Sequence, residues 1–131
     1  MIQVFANNPV AVPANGALLF TGSKNQKGCT ATLNSGGIRL NRPGIYSIIA
    51  NFSFTPTAAG NVTVALENAG NPSNTDVATE TATAAAAVNL TIPSLVRVDE
   101  NACCGGGVSV GYRVNAAGTL LSANAIVTKV V

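Results

Sequence analysis

The sequence predicts an all-β sandwich of eight to ten strands, in one domain covering residues 1–131. Short apolar or alternating runs recur along the whole chain, with Gly, Pro and Asn clusters between them. The only helix-prone stretch, Ala82 to Ala87, is flanked by Thr and Val and is too short to nucleate a helix alone. The 47% apolar content is enough for a packed core and argues against disorder.

The elements follow in order. Met1 to Phe5 is a β-prone start, broken by Asn7-Asn8-Pro9. Pro13-Ala14-Asn15-Gly16 turns the chain into a short strand from Ala17 to Phe20. Gly22 to Lys27 reads as a polar loop. Thr30 to Leu33 and Ile38 to Leu40 flank Asn34-Ser35-Gly36-Gly37, a hairpin turn. Asn41-Arg42-Pro43-Gly44 reads as a type II turn, with Pro presetting one φ and Gly supplying the positive one. Ile45 to Phe54 is the strongest strand. After Pro56 to Gly60, Asn61 to Glu67 alternates cleanly, with Val62, Val64 and Leu66 inward. Asn68 to Asn74 reads as a loop, and Val77 to Thr83 as a weak strand. Val88 to Ile92 alternates, Pro93 interrupts, and Leu95 to Val98 continues. Asp99-Glu100-Asn101 is a polar corner and Gly105-Gly106-Gly107 a flexible turn. Val108 to Val114 and Ala123 to Val131 complete the set, with a turn from Asn115 to Thr119 between them.

Two features point to an oligomer. Only 9% of residues are charged, well below the roughly 25% of ordinary soluble domains. A small, neutral surface is easily desolvated against another chain. The strongest strand is also apolar on both faces in its first half, with Tyr46 and Ile48 on one and Ile45 and Ile49 on the other. In a two-layer sandwich only one of these faces can meet the core, so the other must meet a second chain.

Composition also excludes functions. The chain has no His, which removes His-based triads, a His general base and His metal ligands. A net charge of +2 with scattered Lys and Arg provides no stripe for a phosphate backbone, so nucleic acid is not an expected partner. No run approaches a spanning helix and no targeting segment is visible in the first 20 residues, so the expectation is a chain made in a cytoplasm, without membrane insertion.

Several motifs occur in a recognisable order. Pro43-Gly44-Ile45-Tyr46 leads into the long strand. Ala58-Ala59-Gly60-Asn61-Val62-Thr63-Val64-Ala65-Leu66 follows, then Leu66-Glu67-Asn68-Ala69-Gly70. Together with the Ala17 to Phe20 and C-terminal strands, this order resembles the C1q/tumour-necrosis-factor-like jelly roll. Lys27-Gly28-Cys29-Thr30, the Ala-Gly-Asn-Val-Thr stretch and the Cys103-Cys104 pair are similar to a bacterial and bacteriophage branch. That branch comprises small stand-alone phage structural proteins and C-terminal domains of collagen-like exosporium proteins. The resemblance implies a Greek-key sandwich that assembles as a homotrimer and serves attachment or structure rather than catalysis. The expected role is a virion component: a capsid-decoration or head-fibre protein, or a tail accessory. Its partners would be capsid or tail proteins and host-surface glycans. The alternative is an adhesin on a bacterial or spore surface; no Gly-X-Y repeat is present to make the stalk of such a protein.

The candidate residues follow from these readings. Tyr46, Ile48, Ala50, Phe52, Phe54 and Tyr112 are candidates for the core or the trimer interface. Cys29, Cys103 and Cys104 are read as free thiols filling apolar space, with two alternatives: a disulfide from Cys29 to either of the pair, or a three-Cys metal site. Adjacent cysteines do not suit a mutual disulfide. Animal members of the family resembled bind Ca²⁺ on loops, but Asp76, Glu80, Asp99 and Glu100 are read as solvated charges rather than ligands. The same carboxylates are the residues a glycoside hydrolase would need, as pairs Asp76/Glu80 or Asp99/Glu100. No cofactor and no catalytic residue is expected. Asn51-Phe52-Ser53, Asn61-Val62-Thr63 and Asn89-Leu90-Thr91 match the glycosylation triplet, as an Asn- and Thr-rich chain does by chance. Any glycan contact is expected on loops, at Gly22 to Lys27 or Asn68 to Asn74.

Overall fold

A computed structural model of the chain describes residues 1–28, 30–68, 71–83, 86–98 and 108–130; of residues 71–75 only the backbone is described. The strands among these residues are β1 (Ile2–Ala6), β2 (Val10–Val12), β3 (Ala17–Leu18), β4 (Gly22–Lys24), β5 (Ala31–Asn34) and β6 (Gly37–Leu40). They continue with β7 (Gly44–Pro56), β8 (Gly60–Asn68), β9 (Asn71–Ala82), β10 (Val88–Val98), β11 (Val108–Val114) and β12 (Gly118–Lys129). No helix among the described residues is long and apolar enough to cross a membrane.

Two sheets form. The first has the order β10-β7-β12-β1-β4, with β2 also on β12. The second has the order β5-β6-β11-β8-β9, with β3 also on β11. Every pairing is antiparallel. Strands consecutive in sequence repeatedly change sheet, as in β6 to β7, β7 to β8 and β9 to β10. This is the all-β two-layer sandwich that the alternating runs predict.

Period-2 alternation makes the core. β10 buries Leu90, Ile92, Val96 and Val98 and exposes the residues between them. β7 buries Tyr46, Ile48, Ala50, Phe52 and Phe54 against β11 and β8, whose Val110, Tyr112, Val114, Val62, Val64 and Leu66 face them. Phe20, Phe52 and Tyr112 form an aromatic cluster, with centroids 6.0, 6.2 and 5.0 Å apart. Tilted and edge-on contacts at these distances suit the ring quadrupoles. The Tyr46 hydroxyl donates to the Arg42 carbonyl at 2.6 Å, tying the entry of β7 to its own strand.

Two glycines are required by geometry. The β5–β6 hairpin turns on Ser35 and Gly36, with φ of 52° and 81°. Two successive positive φ values are those of a type I′ hairpin. At Gly118 a Cβ would lie 2.2 Å from the Thr55 carbonyl oxygen, so only glycine lets β12 start beside the end of β7.

The structure departs from the sequence expectations in several places, with twelve strands among the described residues where eight to ten are expected. Val10–Val12, for which the sequence gives no strand, pairs with β12, which itself begins at Gly118 inside the expected Asn115 to Thr119 turn. Gly22–Lys24 is a strand on β1 rather than a loop. Arg42 and Pro43 are bends, and Gly44 already belongs to β7 with φ 145°, not the usual type II value. β9 begins at Asn71, inside the predicted Asn68 to Asn74 loop. Pro93 does not interrupt β10: it sits on the edge strand of its sheet, opposite Ile49, where a missing N–H costs least.

Candidate assembly interface

The outward residues of the first sheet make one surface. Register aligns them in rows across β10, β7 and β12. Leu95, Ser47 and Thr128 form one row, and Pro93, Ile49 and Ile126 the next. Beyond them come Thr91, Asn51 and Asn124, then Asn89, Ser53 and Ser122. β1 extends two of these rows, with Gln3 beside Ile126 and Phe5 beside Asn124. A register shift between Leu120 and Ser122 inserts one extra residue and keeps the alternation in phase on both sides.

This surface has an apolar end and an amide end. At the apolar end Leu95 is 69% exposed, Val130 58%, Ile49 45% and Ile126 44%. They account for half of the exposed large hydrophobics among the described residues. At the amide end lies a groove of about 490 Å³, lined by Gln3, Phe5, Lys24, Asn51, Asn89 and Asn124 among others. Its side chains partly satisfy one another: Thr91 donates to Asn51 at 2.7 Å, Gln3 to Asn124 at 3.5 Å and Asn25 to Gln3 at 3.3 Å. Lys24 stands over the Phe5 ring, 5.8 Å from its centroid.

A cleft of about 400 Å³ adjoins the apolar end at the β10 edge, lined by Ser47, Ile49, Asp76, Pro93, Ser94 and Leu95. It contains the one buried polar residue among those described, Ser94, 7% exposed. The Ser94 hydroxyl has no hydrogen-bond partner among the described residues, and neither has the buried Tyr112 hydroxyl. Burial, and then the Asp76 charge, push the Tyr112 phenol well above its ordinary range. It is therefore a neutral, inert group.

The sequence-derived candidates divide accordingly. Tyr46, Ile48, Ala50, Phe52, Phe54 and Tyr112 all lie between the sheets, at most 2% exposed. The outward apolar positions of the first sheet are instead Ile45, Ile49, Leu95, Ile126 and Val130. Ile45 and Ile49 were legible as the second apolar face of the long strand; Leu95 and Ile126 had no such signal, because each alternates with buried neighbours as any surface residue does. Asp76 and Glu80 are not loop residues but lie on β9, four positions apart. That spacing is about 13 Å along a strand, beyond the ~5–9.5 Å that paired glycosidase carboxyls need. Cys29, Cys103, Cys104, Asp99, Glu100 and the Gly105–Gly107 run lie outside the described residues.

Comparison with known proteins agrees on the fold. The chain matches no family model and no curated protein sequence. Among solved structures it is similar to the globular domain of zebrafish complement 1qA protein, with TM-score 0.69 and 11% identity over 95% of this chain and 94% of that one. It is similar to the Eiger TNF of S. frugiperda, with TM-score 0.77 and 10% identity over 100% of this chain and 92% of that one. It is also similar to the PRD1 vertex protein P5, with TM-score 0.64 and 16% identity over 99% of this chain and 96% of that one. At these identities the likeness is one of fold. The chain is a two-sheet sandwich of the C1q/TNF jelly-roll type.

Proposed function

We propose that this chain is a non-enzymatic structural protein of a bacteriophage particle, assembled as a homotrimer and serving attachment. The observation that carries the reading is the outer face of the first sheet. It gathers Ile49, Leu95, Ile126 and Val130 on one side of the molecule, where each keeps 44–69% of its surface exposed to water in a single chain. Apolar area removed from water contributes about 25 cal/mol per Å². A stable contact needs roughly 800 Å² per partner, which a face four strands wide can supply. The face carries few charges, so copies can meet without like-charge repulsion. The virion role is supported by the shared fold with a phage vertex protein. Three copies would present the outward loops together, so weak contacts to a host-surface glycan would gain avidity.

Light scattering from micromolar to nanomolar protein tests the assembly. A mass of three chains throughout is the expected result; a single-chain mass at micromolar protein overturns the trimer. Mass spectrometry of purified particles tests the location. Recovery of this chain at a fixed ratio to the major capsid protein is expected, and its absence overturns the virion role.

A further inference from the structure

The amide end of the first sheet's outer face is a groove built from one row of the register. Thr91, Asn51, Asn124 and Phe5 stand side by side on β10, β7, β12 and β1. The row crosses three strand spacings, or about 14 Å. Asn89 flanks it on β10 and Lys24 on β4. The groove's volume of about 490 Å³ falls within the ~300–1,000 Å³ of small-ligand sites. Its amides have capacity to spare. Asn51 accepts from Thr91 and Asn124 accepts from Gln3 through their carbonyl oxygens, which leaves both NH2 groups without a partner among the described residues. The exposed Asn89 side chain makes no hydrogen bond among them. Phe5 is seated by Gly22, where a Cβ would lie 2.7 Å from the ring's Cζ. Lys24 is the one charged side chain that lines the groove. The described carboxylates Glu67, Asp76 and Glu80 all lie on strands of the second sheet, so the first sheet holds no described counter-ion for it.

We propose that this groove binds a saccharide bearing a carboxylate, with Lys24 holding the carboxylate and the asparagine row holding the hydroxyls. The inference rests on the attachment reading above and names its ligand class and its site. A sugar hydroxyl both donates and accepts, and a carboxamide does both side by side. A row of asparagines therefore matches a run of hydroxyls, which a row of like charges would not. The C–H face of a sugar ring is apolar, and the half-buried Phe5 ring gives it a fixed surface at the end of the row. An ammonium with no carboxylate beside it is the complement of an acidic sugar, and a charge-assisted bond there is stronger than a neutral one. A nucleic acid would need several cations in line, and the groove has one. The groove lies at the end of the face away from Leu95 and Val130, so a contact through the apolar end leaves it open. Three such grooves on one particle would gain avidity.

An array of oligosaccharides carrying uronic or sialic acid, printed beside neutral oligosaccharides of the same length, tests the site. Titration calorimetry with the best binder then supplies the affinities. Acidic ligands are expected to bind about 10-fold or more tighter than neutral ones. Lys24→Ala is expected to abolish that preference and Lys24→Arg to keep it. Asn51→Ala and Asn124→Ala are each expected to weaken acidic and neutral ligands alike, by about 2- to 10-fold. These side chains are exposed, so the variants should fold as the wild type does, as circular dichroism checks. Thr63→Ala, on the opposite outer face, is expected to bind like the wild type. Retention of no acidic oligosaccharide, equal retention of the neutral ones, or a Lys24→Ala variant that binds like the wild type overturns the proposal. Light scattering on the same sample separates it from the trimer. A single chain that still binds overturns the trimer and keeps the groove; three chains that bind no saccharide overturn the groove and keep the trimer.

Discussion

The two outward faces of the sandwich obey the same alternation and are filled differently. On the second sheet several outward side chains satisfy one another, with Val77 on β9 exposed among them. Arg113 on β11 forms an ion pair with Glu67 on β8 and donates to the Asn15 carbonyl at 2.6 Å. Thr63 and Thr79 share a hydrogen bond of 2.9 Å, and Thr81 donates to Asn61 at 2.8 Å. On the first sheet, cross-strand bonds such as Thr91 to Asn51 occupy the amide end only, and the other end is left to isoleucine, leucine and valine. A face whose polar groups are paired within the chain is at rest in water. A face with uncovered apolar side chains is not, and the difference marks which side a second copy would take.

The contrast can be broken from the inside first. Phe52→Ala removes one ring of the aromatic cluster and should lower folding stability by about 3–5 kcal/mol, measured by urea denaturation. A smaller loss would mean that the two sheets close over the gap. Overpacking at Gly118→Ala should cost about 1–3 kcal/mol or more, since the new methyl meets the Thr55 carbonyl. Differential scanning calorimetry with an unchanged melting temperature would contradict that close approach.

The outer face separates folding from assembly. Ile126→Asp should leave the circular dichroism spectrum of the single chain intact and weaken association by about 2 kcal/mol or more, the range of a buried anchor. An unchanged mass on dilution would place the contact elsewhere. Tyr112→Phe deletes a hydroxyl that has no partner among the described residues and should raise stability near pH 7 by about 1 kcal/mol. The phenol's folded pKa lies above its unfolded value near 10.0, so its contribution is complete below that pH and is lost as pH rises beyond it. The variant should therefore lose less stability than the wild type above pH ~10, as read by alkaline denaturation. On the second sheet, Thr63→Ala removes one exposed hydrogen bond and should change stability by only about 0.5 kcal/mol, with no effect on mass.

Most of the fold was legible in the residues. β7, β8 and β10 to β12 announce themselves by alternation, and the Ser35-Gly36 turn by its glycine. β4 was not legible, because Gly-Ser-Lys has little β-propensity; it is a strand only because β1 offers it an open edge. The start of β9, with Asn71, Pro72 and Ser73, is likewise held by pairing along β8 rather than by its composition. Pro93 reads as a breaker until β10 is known to be an edge strand. Of the candidate interface, Ile45 and Ile49 were visible as the second apolar face of the long strand, whereas Leu95 and Ile126 join them only through register.

What the sequence determined by itself is therefore the local periodicity: an all-β chain, its main turns, and a long strand with more apolar surface than one core can cover. What only the tertiary structure decided is which face of that strand is the inside. Tyr46, Ile48, Ala50, Phe52 and Phe54 are buried because β8 and β11 close over them, and Ile45 and Ile49 then have nowhere to go but outward. The same holds for Asp76 and Ser94, on strands that follow one another in the chain but belong to opposite sheets. Alternation is set by the backbone of each strand, but a shared cleft requires two sheets to be stacked, and stacking is a property of the whole chain.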